Sequence, residues 1–262
     1  MKIKPGAIIA VINNKGGVGK TTVATNLAYG LSQRGYNTAL VDFDSQANST
    51  SIILKGMTPT YTIFDLLNPE QPEPIEKCIC TTRFKNLKII ASEDKLAYLE
   101  FELISQQLFN LPKELIRPYC RDNFDISVID CPPNVLYFSL AALRMCDYII
   151  VPVVPQSRFS IEGLVRLNNF ATKYASEQNP DLKSLKVVVN KLDNRMSLAK
   201  IILSDLQSIL TKEKMFNTMI PTTSLIEHAE YMQELILTYS RSSKGARAYR
   251  QLTKEIEDMI NG

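Results

Sequence analysis

A doubly wound α/β fold, a mostly parallel sheet flanked by helices, is what this sequence predicts, and three observations predict it. Short β-branched apolar runs recur along the chain, amphipathic stretches of helical length separate them, and polar, chemistry-bearing residues gather just after the runs. The runs are residues 7–12, 38–41, 87–90, 126–129, 148–154 and 185–189. Each is nearly all apolar and poor in alternation, which is how strands buried on both faces of a parallel sheet look. The helix-like stretches are residues 20–34, 95–109, 113–121, 135–144, 160–175 and 198–210. Strand alternating with helix requires right-handed crossovers. In such sheets ligands bind at the carboxyl ends of the strands.

The chain has 262 residues, within the range of a single α/β unit, so one domain over 1–262 is expected. No helix-turn-helix module fits before Ala7. Residues 68–74 contain three prolines and predict a surface loop. The net charge is only +3, so a charged partner must be met by a local patch. No run of 18 apolar residues exists, and the N-terminal apolar stretch is too short for a signal peptide. A soluble, cytoplasmic protein is expected. The five cysteines form no CxxC pair, which argues against disulfides and structural zinc. The single histidine, His228, excludes a multi-histidine metal site and is assigned to the fold rather than to chemistry.

The first run is followed by a glycine-rich turn, Lys15-Gly16-Gly17-Val18-Gly19-Lys20-Thr21-Thr22, and then by an amphipathic stretch. Strand, loop and helix in that order form a phosphate cradle. Successive backbone N–H groups and the helix N-terminus face one anion, and glycine lets the backbone come close. Lys20 reaches the β- and γ-phosphates, and the Thr21 hydroxyl ligates Mg²⁺. The common pattern puts its first glycine at position 14, where this chain has Asn14. Asn tolerates left-handed backbone, so the turn remains open to it. Two further segments end runs in carboxylates, Val41-Asp42-Phe43-Asp44 and Ile129-Asp130-Cys131-Pro132-Pro133. Asp42 and Asp44 face the same way if the strand persists through both.

With a lysine directly before paired glycines, the turn resembles the deviant Walker A box of the ParA/MinD ATPases, a branch of the SIMIBI-like P-loop NTPases. The resemblance implies that Lys15 is the signature lysine, which crosses a sandwich homodimer to the other subunit's phosphates. It implies that Asp44 positions the attacking water, that Asp42 supports it near the magnesium, and that Asp130 is the Walker B carboxylate for Mg²⁺. It also implies that Asn190 contacts adenine and that the segment around Pro221 covers the base. From Met215 onward the chain is similar to the ParA C-terminal region, so the resemblance runs nearly end to end. Residues 56–90 match least.

Asn190-Lys191-Leu192-Asp193 also reads as the N-K-x-D guanine motif. ATP is favoured over GTP because the Lys15 loop and the Asp42/Asp44 segment belong to the ATPase branch. Near the C-terminus Lys244, Arg247, Arg250 and Lys254 fall on one side of a helix, with Tyr249, Leu252, Ile256 and Met259 on the other. Lys244, Arg247 and Arg250 are candidates for nonspecific contact with DNA phosphates. The function so implied is a partition ATPase with ATP and Mg²⁺ as cofactors. It closes an ATP-dependent homodimer on nucleoid DNA, and a ParB-like or other adaptor stimulates hydrolysis. The cargo would be a plasmid, a chromosome or another large assembly. The alternative is a MinD-like division-site ATPase. The acidic residues Glu255, Glu257 and Asp258 near the C-terminus argue against binding to an anionic membrane.

Overall fold

A computed structural model describes residues 6–156, 158–193 and 195–262; the N-terminal residues 1–5 read above lie outside them. The strands are β1 Ala7–Val11, β2 Thr38–Asp42, β3 Ile79–Thr81, β4 Leu87–Ile90, β5 Ile126–Asp130, β6 Tyr148–Val153 and β7 Ser184–Val189. They form one sheet in the order β3-β4-β2-β5-β1-β6-β7. Every pairing is parallel except β3 with β4. The predicted doubly wound α/β class is borne out.

The absence of alternation in the runs has a direct cause. Ile8, Ala10 and Ile12 enter the core on one face of the sheet, while Ala7, Ile9 and Val11 enter the core on the other. Successive side chains of a strand point to opposite faces, and here both faces are covered. Burying one such aliphatic side chain is worth about 1.5–3 kcal/mol, against a net ~1 kcal/mol for one ladder hydrogen bond. Packing on both faces therefore dominates the placement of the helices.

The helices are α1 Lys20–Gln33, α2 Asn48–Leu54, α3 Ile63–Leu67, α4 Ile75–Cys78, α5 Leu96–Ser105, α6 Leu111–Asn123, α7 Tyr137–Met145, α8 Arg158–Gln178, α9 Ser197–Ile209, α10 Ser224–Tyr231, α11 Ile236–Tyr239 and α12 Lys244–Asn261. Residues of α5, α6 and α7 pack into the first core layer, and α1, α10, α11 and α12 into the second. Helices α1 and α12 cross tightly because Gly30 has no side chain: a Cβ there would meet the Thr253 hydroxyl at 2.5 Å.

Several short elements left no readable signal in the sequence, the four-residue α11 among them. The strand β3 has three residues, and α2, α3 and α4 have seven, five and four, too few to display a period. The start of α3 is set by a capping box, in which the Thr62 hydroxyl accepts from the Phe64 amide and Asp65 accepts from the Thr62 amide. The proline-rich segment 68–74 lies between α3 and α4, outside both. His228 is exposed on α10, so it has no part in the core. No described helix is long and apolar enough to cross a membrane.

The chain leaves β1 toward β2 on one side and returns through β6 and β7 on the other, so the strand order reverses beside β1. A crevice opens at such a reversal, beyond the carboxyl ends of the strands. The turn after β1, the segment after β2, the end of β5 and the segment after β7 all lie at that edge.

Candidate active site

The glycine-rich turn is held from below. Buried Asn13 donates through Nδ2 to the Pro152 carbonyl at 2.8 Å and accepts the Lys15 amide at 3.0 Å, tying the loop to the end of β6. Gly17 and Gly19 have φ of 73° and 86°, the left-handed region where glycine carries no Cβ penalty. Val18 is buried beneath the loop, so only its backbone can serve a ligand. Helix α1 then starts at Lys20 with Gly19 as its N-cap and no side-chain cap. Its first amides and the positive end of its dipole therefore remain available to an anion.

Lys20 is 6% exposed, and its ammonium donates to the Lys15 carbonyl at 3.4 Å. Burial pulls its pKa down, and the charges of Asp130, Cys131 and Asp44 oppose that. The cleft above it holds about 360 Å³ and is lined by Gly16, Gly17, Thr21, Thr22, Asp44 and Lys191, among others. That size suits a small phosphorylated ligand.

The three carboxylates divide their work in a way the sequence did not reveal. Strand β2 stops at Asp42, so the expected common orientation of Asp42 and Asp44 does not occur. Fully buried Asp42 accepts the Asp44 amide on Oδ1, and the Thr50 amide and hydroxyl on Oδ2 at 2.9 and 2.8 Å. Both its oxygens accept hydrogen bonds, so Asp42 ties the turn that carries Asp44 to the first turn of α2. Asp44 instead lines the cleft, with Oδ1 accepting the Gln46 amide at 3.0 Å. Asp130 pairs in register with Asp42 on the adjacent strand. Its Oδ2 accepts the Ser49 hydroxyl at 2.7 Å, while the buried Oδ1 has no hydrogen-bond partner. A buried carboxylate oxygen with no well-formed hydrogen bond, close to the Thr21 hydroxyl and the Lys20 charge, is the hard oxygen ligand a divalent cation requires. The residues fit Mg²⁺.

Burial raises the Asp42 and Asp130 carboxyls above the ordinary range, and the Asp130 charge adds to the shift at Asp42. A carboxyl with a raised folded-state pKa gives stability that is complete below the unfolded value and fades as pH climbs through the folded one. The melting temperature of the ligand-free protein is therefore expected to fall between about pH 4 and pH 8. Asp42→Asn should flatten that slope in thermal melts across the range.

Lys15 is exposed and faces a second cleft on the other side of the loop, with Asn14, Val153, Val154 and Arg166. It does not line the cleft above Lys20. Asn190 reaches the phosphate loop itself. Its Nδ2 donates to the Val18 carbonyl at 2.7 Å, and its Oδ1 accepts the Lys191 amide at 2.9 Å. A Cβ on Gly19 would lie 2.3 Å from that Nδ2. Asn190 thus braces the phosphate loop with one of its two amide N–H donors. Asp193 is likewise committed, accepting three hydrogen bonds from Arg195 that hold its carboxyl down to about 2. Pro221 bridges to Leu192 and borders a small cavity with Asn190, Lys191 and Thr222.

The basic face of α12 forms as expected, with Lys244, Arg247, Arg250 and Lys254 exposed over buried Tyr249, Leu252 and Ile256. It is nevertheless divided. Lys244 and Arg247 border a groove with Pro221 and Leu203, whereas Arg250 borders another with Arg34 and Arg241. Lys254 is paired with Asp258.

Sequence reasoning missed Ser49, Thr50 and Glu230. Ser49 and Thr50 follow the Asp44 turn on α2, and a hydroxyl pair after an acidic segment was the available signal. Glu230 accepts a hydrogen bond from the Thr22 hydroxyl across 208 positions of sequence, and nothing local announces that.

Comparison with known proteins agrees with this geometry. The AAA-domain family model matches residues 6–184. The chain is 32% identical to the chromosome-partitioning ATPase Soj of Treponema pallidum over 251 residues, covering 96% of this chain and 97% of that one. It is 30% identical to the chromosome partitioning protein ParA of Myxococcus xanthus over 254 residues, covering 96% and 88%. Among solved structures it is similar to the cobyrinic acid a,c-diamide synthase of Mycobacterium smegmatis with bound ADP and magnesium. The TM-score there is 0.80 at 25% identity, over 98% of this chain and 96% of that one.

Proposed function

The chain belongs to the ParA/Soj family of partitioning ATPases, and from that premise we propose that it is a positioning ATPase whose ATP-closed homodimer holds nonspecific DNA. A ParB-like adaptor or another activator speeds hydrolysis and so releases the DNA. The enzyme is a P-loop ATP hydrolase that uses ATP and Mg²⁺. One observation carries the site: the left-handed Gly17 and Gly19, at the uncapped start of α1, oppose the partnerless oxygen of Asp130. A single domain over residues 1–262 is part of the proposal, supported by the continuity of one sheet from β3 to β7.

The position of each residue supports a role for it. The amides of Gly16, Gly17, Val18 and Gly19 and the Thr22 hydroxyl cradle the phosphates, and Lys20 supplies the buried positive charge. Thr21 and the free Asp130 oxygen hold Mg²⁺, which when bound supplies Lewis-acid stabilisation of phosphoryl oxygens. Asp44 orients the attacking water from the cleft wall. Asp42 acts at one remove, by fixing the Asp44 backbone and Thr50. Lys15, aimed to the far side of its loop, contributes its charge to the partner's phosphates across the homodimer. Asn190 positions the loop, and the Pro221 segment borders the base.

The exposed cations of α12 support nonspecific DNA binding. Lys244, Arg247 and Arg250 lack carboxylate partners among the described residues, whereas Lys254 is neutralised by Asp258. Electrophoretic shift assays at several salt concentrations test this. The triple variant Lys244→Ala/Arg247→Ala/Arg250→Ala is expected to reduce the slope of log affinity against log salt by up to about 3. An unchanged slope would reject this face. The same helix gives little support to an anionic membrane partner, because Glu255, Glu257 and Asp258 accompany the last cation.

A further inference from the structure

The Thr22 hydroxyl, in the first turn of α1, lies where the phosphate loop meets the cleft, yet its hydrogen bond goes to the Glu230 carboxylate. Glu230 stands on α10 and borders both the phosphate cleft and the small cavity beside it. A carboxylate at this point occupies the donor that a phosphate oxygen requires, and its charge repels the phosphate. The second observation concerns that adjoining cavity. Tyr249 lines it, is 1% exposed, and its hydroxyl has no hydrogen-bond partner. A buried hydroxyl left unsatisfied costs about 1–3 kcal/mol. Burial first, and the Glu230 charge second, push the Tyr249 phenol well above its ordinary value, so it remains a proton donor at neutral pH.

Resting on the proposed phosphate site, we infer that Glu230 is a two-position positioning residue: it holds the Thr22 hydroxyl when the cleft lacks nucleotide, and turns to the buried Tyr249 hydroxyl when a phosphate takes Thr22. Each state satisfies one donor and releases the other. The displaced carboxylate keeps a partner, so the repulsion it opposes to the incoming anion is relieved at little cost. Tyr249 belongs to α12, the helix that carries Lys244, Arg247 and Arg250 on its outer face. Nucleotide arrival at Thr22 thereby reaches the packing of the basic helix through one carboxylate.

A thermodynamic cycle on the full chain tests this, with Mg-ADP as the probe and calorimetry as the readout. Glu230→Gln, which keeps the shape and removes the charge, is expected to tighten ADP binding about fivefold. Tyr249→Phe is expected to weaken it about fivefold, because the displaced carboxylate loses its second donor. In the Glu230→Gln background, Tyr249→Phe should change affinity by less than about twofold. A purely structural tyrosine would not behave so. Its removal would act equally in both backgrounds, and that result would overturn the inference, as would weaker or unchanged binding in Glu230→Gln. Thermal melts add a second readout. Tyr249→Phe should leave the ligand-free melting temperature unchanged or raised, since the lost hydroxyl was unpaired, while reducing the gain on adding ADP. A fall in the ligand-free melting temperature with an unchanged gain on ADP would count against it. Lys20→Ala separates the two levels. If ADP binds that variant as it binds wild type, the phosphate site itself is wrong. If binding is lost there while Glu230→Gln matches wild type, only the two-position carboxylate falls.

Discussion

Lys20→Ala is expected to lower affinity for Mg-ATP by at least about 100-fold in calorimetric titration. The side chain is 6% exposed and carries the positive charge nearest to the buried Asp130 and Asp44. Removing one partner of a desolvated charge pair typically costs about 3–5 kcal/mol, because the other charge stays buried and uncompensated. Here a triphosphate would then face Asp44 and Asp130 with no ammonium between. The loop itself should survive. Its shape rests mainly on Asn13, Asn190 and the two left-handed glycines, and the Lys20 ammonium adds only one long hydrogen bond of 3.4 Å to the Lys15 carbonyl. A circular dichroism melt near that of wild type, together with lost binding, is the expected pair of results. Affinity within about threefold of wild type would contradict the placement of Lys20.

Asp44→Ala is expected to reduce turnover by about 100-fold to 10,000-fold, the range for loss of a positioned general base or water-orienting group. Its ATP affinity should remain within about threefold. Asp44 lines the cleft and keeps one oxygen free of protein hydrogen bonds among the described residues, since Oδ1 alone accepts, from Gln46; Glu230, the other carboxylate there, holds the Thr22 hydroxyl. Asp42 has both oxygens engaged, and Asp130 is the carboxylate proposed for Mg²⁺. The variant should therefore retain ATP and accumulate as a dimer on gel filtration with ATP. Lys15→Ala offers the contrast. It faces the second cleft, so it should keep nucleotide within its own subunit but hydrolyse it poorly. Wild-type turnover in Asp44→Ala would remove Asp44 from the chemistry.

Much of this molecule was legible before its folding was known. The six long strands were found within about one residue at each end, because burial on both faces leaves a near-continuous apolar run that needs no partner to be recognised. The phosphate turn was legible for a similar reason. Its function depends on consecutive backbone amides and on glycines that reach left-handed conformations, and those are properties of one short stretch of chain. Legibility ended where side chains chose partners. Asp42 and Asp44 read as a same-facing pair, but the strand stops between them and Thr50 captures the first. The reach of Asn190 back across 172 positions to the Val18 carbonyl had no local signal.

The sequence by itself thus determined the α/β class, the phosphate loop and which carboxylates would stand at the edge of the sheet. Those follow from local periodicity and from chemistry contained in a few adjacent residues. Only the tertiary structure decided which oxygen remained free for a cation, that Asn190 braces the loop, and that Glu230 holds Thr22. A hydrogen bond forms with whichever donor the closed sheet brings within about 3 Å. Residues 81, 172 and 208 positions apart become neighbours only after β1 has paired with β5 and β6 and the helices have packed on both faces.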